Sequence, residues 1–260
     1  MTDNPFAIGK PVLRTEDFRL LTGNGRFSDD AMVPGMIYGF VIRSPYAHAT
    51  LGEIDTGAAS ALPGVRAVLT ASDYVSDGLK PIPNVPNPAH ITRVGEAAFS
   101  HKDGAPVFEG EHWPLAQGKV RHVGEPVAFV VADSAAIAEE AAELVVVAYE
   151  ALEPVTDVRR AVTGDAPRLW DKAPGNICFD VELGDAAAVD AAMAKAAHIV
   201  ELDLTNNRVT AVSMEPRTAT GLYDETSGRF TLIAGSQGSH RLKDQLVALL
   251  GCDPEYVRVV

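Results

Sequence analysis

Two short polar clusters flank a predicted β-hairpin and contain residue types that bind oxygen-rich ligands. The first cluster contains Glu215 and Arg217 within the segment MEPR, and the second contains Gln237 and Gly238 within GSQGSH. A carboxylate, a guanidinium and an amide together supply strong hydrogen-bond acceptors and donors. The residue types and their spacing therefore indicate a binding site, although they do not name its ligand.

The hairpin between the clusters must bring them together. We predict strands over Thr218–Asp224 and Arg229–Gly235, because apolar residues alternate along the second segment and the turn ETSG separates the two. The outer ends of two antiparallel strands meet at one edge of a sheet. A helix that begins near Ser239 should also leave free backbone N–H groups beside Gln237, which suits an anionic or oxo-bearing group.

A purely structural interpretation of the same residues stays open at this point. Glu215 and Arg217 can form an ordinary surface ion pair, Ser239 can be a helix cap, and Gln237 can be a loop residue. Composition and spacing alone do not decide between the two interpretations.

The composition limits the classes of function. The chain has 260 residues, 47% of them hydrophobic, which suffices for one large or two ordinary domains. A formal net charge of −13 argues against nucleic acid or an anionic membrane as a partner. The two cysteines lack metal-site spacing, which predicts a reducing, cytoplasmic setting and no cysteine-bound cluster in this chain. No apolar run approaches the ~20 residues that cross a bilayer.

Two strand–helix–strand units predict an α+β fold. The first contains strands Met36–Arg43, Thr50–Ile54 and Val65–Thr70 around a short helix. The second contains the apolar strand Pro126–Ala132, a helix capped by Asp133 or Ser134, and a strand that begins at Val146.

The remaining segments complete the predicted organisation. Lys80–Lys119 carries six prolines and is expected to be a surface excursion, and Val158–Ile177 an interdomain connection. The later elements are a helix Ala186–Ala197 capped by Asp185, a strand Ile199–Thr205, a helix Ser239–Leu250 and a strand Tyr256–Val260. The last strand is apolar and has no turn residues after it, so we expect the sequence to be cut in mid-domain.

Seven motifs occur in an order that resembles the molybdenum hydroxylases, the family of xanthine dehydrogenase and aldehyde oxidase. Within this family, the sequence looks like the large chain of carbon monoxide dehydrogenase-type enzymes. The motifs are LLTGNGRFSDD, RSPYAHA, PGVRAVLTASD, VRHVGEPVAFVVAD, AAELVVVAYEALEPV, NNRV followed by SMEPR, and Q-x-x-H. Each motif is short, but seven in the correct order are specific, and the resemblance extends over nearly all of residues 14–260.

The resemblance implies an α+β architecture of two domains. An α/β hammerhead domain would occupy residues 18–155, and the beginning of a molybdopterin-binding domain would occupy residues 165–260. By resemblance, Gln237 lies next to the molybdenum centre with its amide near an oxygen ligand, and Gly238, Glu215 and Arg217 belong to the same cofactor-binding region. The resemblance assigns no catalytic residue and no protein ligand of the metal to this chain.

The function that the resemblance implies is that of the amino-terminal portion of a molybdopterin-binding oxidoreductase subunit. The complete enzyme would hydroxylate an aldehyde, an N-heterocycle or a small carbonyl-like substrate, with water as the oxygen source. An iron–sulfur small subunit and an FAD-binding medium subunit would accept the electrons, in a homodimer of heterotrimers. The alternative is a non-catalytic, truncated or degenerate hammerhead module with at most a role in assembly, and the chain alone is expected to be inactive.

Overall fold

The computed structural model describes residues 13–83 and 101–260, so the predicted excursion Lys80–Lys119 lies partly outside the described residues. The strands in this part of the chain are β1 (Tyr38–Arg43), β2 (Ala49–Asp55), β3 (Val65–Thr70), β4 (Lys119–Val120), β5 (Pro126–Ala132), β6 (Val146–Ala151), β7 (Ala219–Asp224), β8 (Arg229–Ala234) and β9 (Val257–Val259). The helices are α1 (Asp17–Leu21), α2 (Gly57–Ser60), α3 (Ala71–Ser76), α4 (Ala135–Glu143), α5 (Val158–Ala161), α6 (Ala186–Met193) and α7 (Ser239–Leu250). None of these helices is both long and apolar enough to cross a bilayer.

The chain divides into two compact units. The larger unit comprises residues 35–210 and 244–253, and the smaller comprises the residues before 35 together with 211–243 and 254–260. Two three-stranded sheets, β1-β5-β3 and β4-β2-β6, belong to the larger unit, and the sheet β7-β8-β9 belongs to the smaller.

Strand β5 is the centre of the larger unit and is buried on both faces. Val130 and Ala132 pack in a cluster with residues of α2 and α4, whereas Val127 packs in a second cluster with residues of β2 and β4. A strand covered on both sides needs no polar alternation, which explains its continuous sequence PVAFVVA. Helix α4 begins where predicted, because Ser134 Oγ accepts a hydrogen bond from the Ile137 N–H at 3.2 Å.

The predicted hairpin forms in the smaller unit. Strands β7 and β8 pair antiparallel from Ala219 opposite Ala234 to Asp224 opposite Arg229, and β9 joins β8 in parallel. The Asp224 carboxylate accepts hydrogen bonds from the Ser227 hydroxyl and the Thr226 N–H, which lower the pKa of Asp224. Gly228 closes the turn with a φ of +67°.

The strand predicted over Ile199–Thr205 is wrong. Val200, Leu202 and Leu204 alternate with polar residues, but no described segment pairs with this stretch, and Val200 is 90% exposed. Alternation describes only the side chains, whereas a strand also requires a neighbouring backbone to complete its hydrogen-bond ladder. The preceding helix α6 is capped by Asp185 as predicted, but it ends at Met193 rather than Ala197.

The segment that we expected to connect two domains has defined local structure. It begins with α5, which the Asp157 carboxylate caps, and it ends in a short 3₁₀ turn at Pro174–Asn176. Arg121 lies over the ring of Trp170, with 3.7 Å between its guanidinium carbon and the ring centroid. This contact holds the segment, which is itself part of the larger unit, against the residues that follow β4.

Candidate functional site

Glu215 lies in an irregular stretch just before β7 and is hydrogen-bonded to a distant part of the chain. Its carboxylate accepts a hydrogen bond from the Ser28 N–H at 3.3 Å, and its carbonyl oxygen accepts one from the Ser213 hydroxyl at 3.0 Å. Ser28 opens a short 3₁₀ turn that ends at Asp30. Glu215 thus fixes this turn beside the entry to the hairpin.

Ser28 also lies near the other end of the hairpin, within the same unit. A Cβ atom placed on Gly235 would be 3.5 Å from the Ser28 hydroxyl oxygen. Gly235 directly follows β8 and leads into Ser236 and Gln237. Ser28 therefore lies close to both polar clusters, which the antiparallel pairing of β7 and β8 already places at one end of the hairpin.

The sequence did not identify Ser28 as a site residue. Its contact with Glu215 joins positions 187 residues apart, and no local spacing reports such a contact. The sequence did hold one indication that Ser28 matters. It lies in LLTGNGRFSDD, one of the seven motifs on which the family resemblance rests.

Arg217 is exposed and does not pair with Glu215. Within the described chain, no ion pair or side-chain hydrogen bond involves the Arg217 guanidinium. The surface ion pair that one interpretation of the sequence proposed does not form, because Glu215 is turned towards the Ser28 backbone.

Gln237 and Gly238 lie between the end of β8 and the start of α7, and both are exposed. The Gly238 N–H donates a hydrogen bond to the Ser236 hydroxyl at 3.4 Å, and a Cβ atom at Gly238 would meet nothing within 4 Å. The Gln237 amide makes no hydrogen bond to a residue that the structure describes. Residues 13–83 and 101–260 contain no group of three His, Cys, Asp or Glu side chains that could hold a metal ion.

Comparisons with known families match the chain along most of its length. A model described as "Aldehyde oxidase and xanthine dehydrogenase, a/b hammerhead domain" matches residues 22–102 and 89–153. A second model, described as "Molybdopterin cofactor-binding domain", matches residues 169–260.

Similar individual proteins include two large subunits. The nicotine 6-hydroxylase large subunit of Paenarthrobacter nicotinovorans is 37% identical over 97% of this chain and 29% of its own length. The carbon monoxide dehydrogenase large chain of Afipia carboxidovorans is 34% identical over 94% of this chain and 29% of its own length. The chain thus spans about 30% of the length of each of these two relatives.

Solved structures agree with the sequence comparisons. Quinoline 2-oxidoreductase from Pseudomonas putida 86 superposes with a TM-score of 0.78 at 32% identity, over 95% of this chain and 29% of the other. A Cu,Mo-containing carbon monoxide dehydrogenase superposes with a TM-score of 0.80 at 30% identity, over 97% and 30% of the two chains. The predicted α+β fold and the family resemblance are confirmed. The chain belongs to the aldehyde oxidase and xanthine dehydrogenase family of molybdenum hydroxylases, with an α/β hammerhead domain and molybdopterin-binding sequence.

Proposed function

We propose that this chain is the amino-terminal portion of the molybdopterin-binding large subunit of a molybdenum hydroxylase. The complete enzyme oxidatively hydroxylates an aldehyde, an N-heterocycle or a small carbonyl-like substrate, with water as the oxygen source. The family match supports this function, as do similar proteins named for nicotine, quinoline and carbon monoxide. The observation that carries the proposal is the meeting of two polar clusters beside Ser28, at one end of the hairpin.

The residues at this end of the hairpin fit one edge of a molybdopterin site. Arg217 and Gln237 present N–H donors with no partner among the described residues, and the space at Gly238 lets a ligand approach the backbone closely. When bound, the cofactor supplies the redox-active molybdenum. Gln237 would donate a hydrogen bond from its amide to the cofactor, and Arg217 would contribute positive charge nearby. Glu215 has the positioning role, because it holds the Ser28 turn.

We assign the electron-accepting groups to partner subunits. The similar proteins are named as a large subunit, a large chain and a subunit gamma, which supports an assembly of several chains. We propose an iron–sulfur small subunit and an FAD-binding medium subunit, arranged as a homodimer of heterotrimers.

Two free cysteines, Cys178 and Cys252, support a cytoplasmic location. We propose domain boundaries of 18–155 for the hammerhead domain and 165–260 for molybdopterin-binding sequence.

The test is the variant Gln237→Ala in the natural protein that contains these residues. Loss of one hydrogen bond near the cofactor, ~1–3 kcal/mol, should lower turnover about tenfold or more. Molybdenum content should change much less, since many contacts hold the cofactor. Metal analysis, together with dye reduction by aldehydes and N-heterocycles, measures both quantities. Gln117→Ala is the matched control, because Gln117 is also exposed but lies in the larger unit.

Two outcomes would contradict the proposal. Unchanged turnover in Gln237→Ala would make Gln237 an ordinary loop residue and remove the assigned cofactor contact. A natural protein with neither molybdenum nor activity would favour the alternative, a non-catalytic hammerhead module that assists assembly.

A further inference from the structure

A small cavity in the smaller unit has an unusual charge. It has a volume of about 170 Å³ and lies beside β9 and the first turns of α7. The charged or ionisable side chains that line it are Arg229, His240, Lys243 and Arg258, and no acidic residue within 13–83 or 101–260 lines it. The whole chain has 35 acidic residues against 22 lysines and arginines, so this cavity opposes the overall charge.

The backbone explains why these basic residues converge. Arg258 of β9 is directly opposite Thr231 of β8, and Arg229 lies two residues before Thr231. Because side chains two residues apart in a strand share a face, both arginines lie on the same face of the sheet. His240 and Lys243 are three residues apart in α7 and therefore lie on one side of that helix.

These basic groups lack acidic partners in the part of the chain that the structure describes. None of the four forms an ion pair or a side-chain hydrogen bond with a residue in 13–83 or 101–260. By contrast, Arg66, Lys102 and Arg159 elsewhere in the chain each pair with an aspartate. Like charges around one cavity repel, and a bound anion would relieve this repulsion.

We propose that this cavity binds the diphosphate group of a small molecule. Guanidinium groups match pairs of phosphate oxygens, and three permanently charged side chains suit an anion with more than one negative charge. The volume of about 170 Å³ suits a small anion. A helix of a partner protein, ~10 Å across, would not enter it. The site uses neither Gln237 nor Arg217 and does not depend on the proposed catalytic role.

The test is calorimetric titration of the full 260-residue chain with inorganic pyrophosphate, at low ionic strength and at ~0.15 M salt. Arg229→Gln and Arg258→Gln should each weaken binding at least tenfold. Arg258→Lys keeps the charge but loses the two-pronged geometry, so its affinity should lie between those of the unchanged chain and Arg258→Gln. Arg208→Gln is the charge-matched control, because Arg208 is exposed and does not line the cavity. Circular dichroism verifies that each variant is folded.

Separate titrations identify the form of the ligand. Tighter binding of ADP than of pyrophosphate would identify a nucleotide, whereas equal binding would show that the diphosphate alone is recognised. The assignment is overturned if orthophosphate binds as tightly as pyrophosphate, or if Arg208→Gln weakens binding as much as Arg258→Gln. It is also overturned if the unchanged chain binds no pyrophosphate at low ionic strength.

Discussion

Single side chains hold together backbone segments that have little regular structure of their own. Asn176 is the clearest case, because its amide oxygen accepts a hydrogen bond from the Leu169 N–H and its amide nitrogen donates to the carbonyl oxygens of Ala161 and Pro167. It does so with a φ of 54°, in the left-handed region that asparagine tolerates better than most residues. This one side chain therefore ties α5 to the turn at Pro174–Asn176.

Replacement of Asn176 should separate the contribution of its hydrogen bonds from that of its backbone conformation. Asn176→Ala loses three hydrogen bonds. It also places alanine, which tolerates a positive φ less well than asparagine does, in the left-handed region. It should lower the free energy of unfolding by roughly 2–4 kcal/mol. Asn176→Gly loses the same hydrogen bonds without the conformational strain and should be destabilised by about 1 kcal/mol less. Urea denaturation measures both, and equal losses would show that the φ value contributes nothing.

At the scale of elements, the N-terminus of helix α3 provides a pH-dependent stabilising interaction. The Asp73 carboxylate accepts hydrogen bonds from the Thr70 N–H and the Thr70 hydroxyl, each at 2.7 Å, and these bonds lower the pKa of Asp73. A carboxyl group whose pKa is lower in the folded state stabilises that state above its ordinary value of 3.8. The stabilisation is lost as the pH falls from that value through the lower folded-state pKa.

Asp73→Asn should therefore be less stable than the unchanged chain at neutral pH, and the difference should shrink below pH 3.8. Denaturant titrations at several pH values measure this difference. Asp77→Asn is the matched control, because Asp77 lies one turn further along and accepts no side-chain hydrogen bond from a described residue. It should change the free energy of unfolding by less than about 0.5 kcal/mol. If the difference in the free energy of unfolding between the unchanged chain and Asp73→Asn grew on acidification, the pKa of Asp73 would not be lowered by folding.

The stacking of Arg121 on Trp170 should stabilise the segment that follows β6. Besides this stack, Arg121 donates hydrogen bonds to the carbonyl oxygens of Leu169 at 3.0 Å and Lys119 at 3.2 Å. Arg121→Lys keeps the charge but loses the planar stack on Trp170 and the guanidinium hydrogen bonds to the two carbonyl oxygens. The free energy of unfolding should therefore fall by roughly 1–3 kcal/mol. Arg66→Lys is the control, because its exposed pairing with Asp133 is screened by solvent and contributes little to stability. Thermal unfolding compares the two variants, and equal effects would argue against the stack.

Most individual elements could be predicted from the sequence, whereas contacts between distant segments could not. The run PVAFVVA and the cap at Ser134 are local signals, and both elements form as predicted. The same reasoning failed for Ile199–Thr205, because its alternation says nothing about a pairing strand. For the candidate site, local pattern predicted the hairpin and its polar ends. It could not predict Ser28, which only the folded backbone brings to Glu215.

At the scale of the whole chain, order is unevenly distributed along the sequence. Residues 119–151 contribute the buried strand β5 and its covering helix α4, whereas residues 199–217 form no helix or strand. In the latter stretch, Val209 is 90% exposed and Met214 is fully exposed. Backbone without regular hydrogen bonding and without burial opens at little free-energy cost.

Limited trypsin digestion of the 260-residue chain should therefore cleave after Arg208 and Arg217 before it cleaves after Arg43 and Arg66. The first two residues lie in the irregular stretch, whereas the other two lie in strands β1 and β3, which pair with β5. A protease needs several residues of extended, accessible backbone, which a paired strand supplies only after local unfolding. Mass spectrometry over a time course orders the cleavages. Cleavage at Arg66 ahead of Arg208 would show that the paired strands of the larger unit open more readily than the irregular stretch.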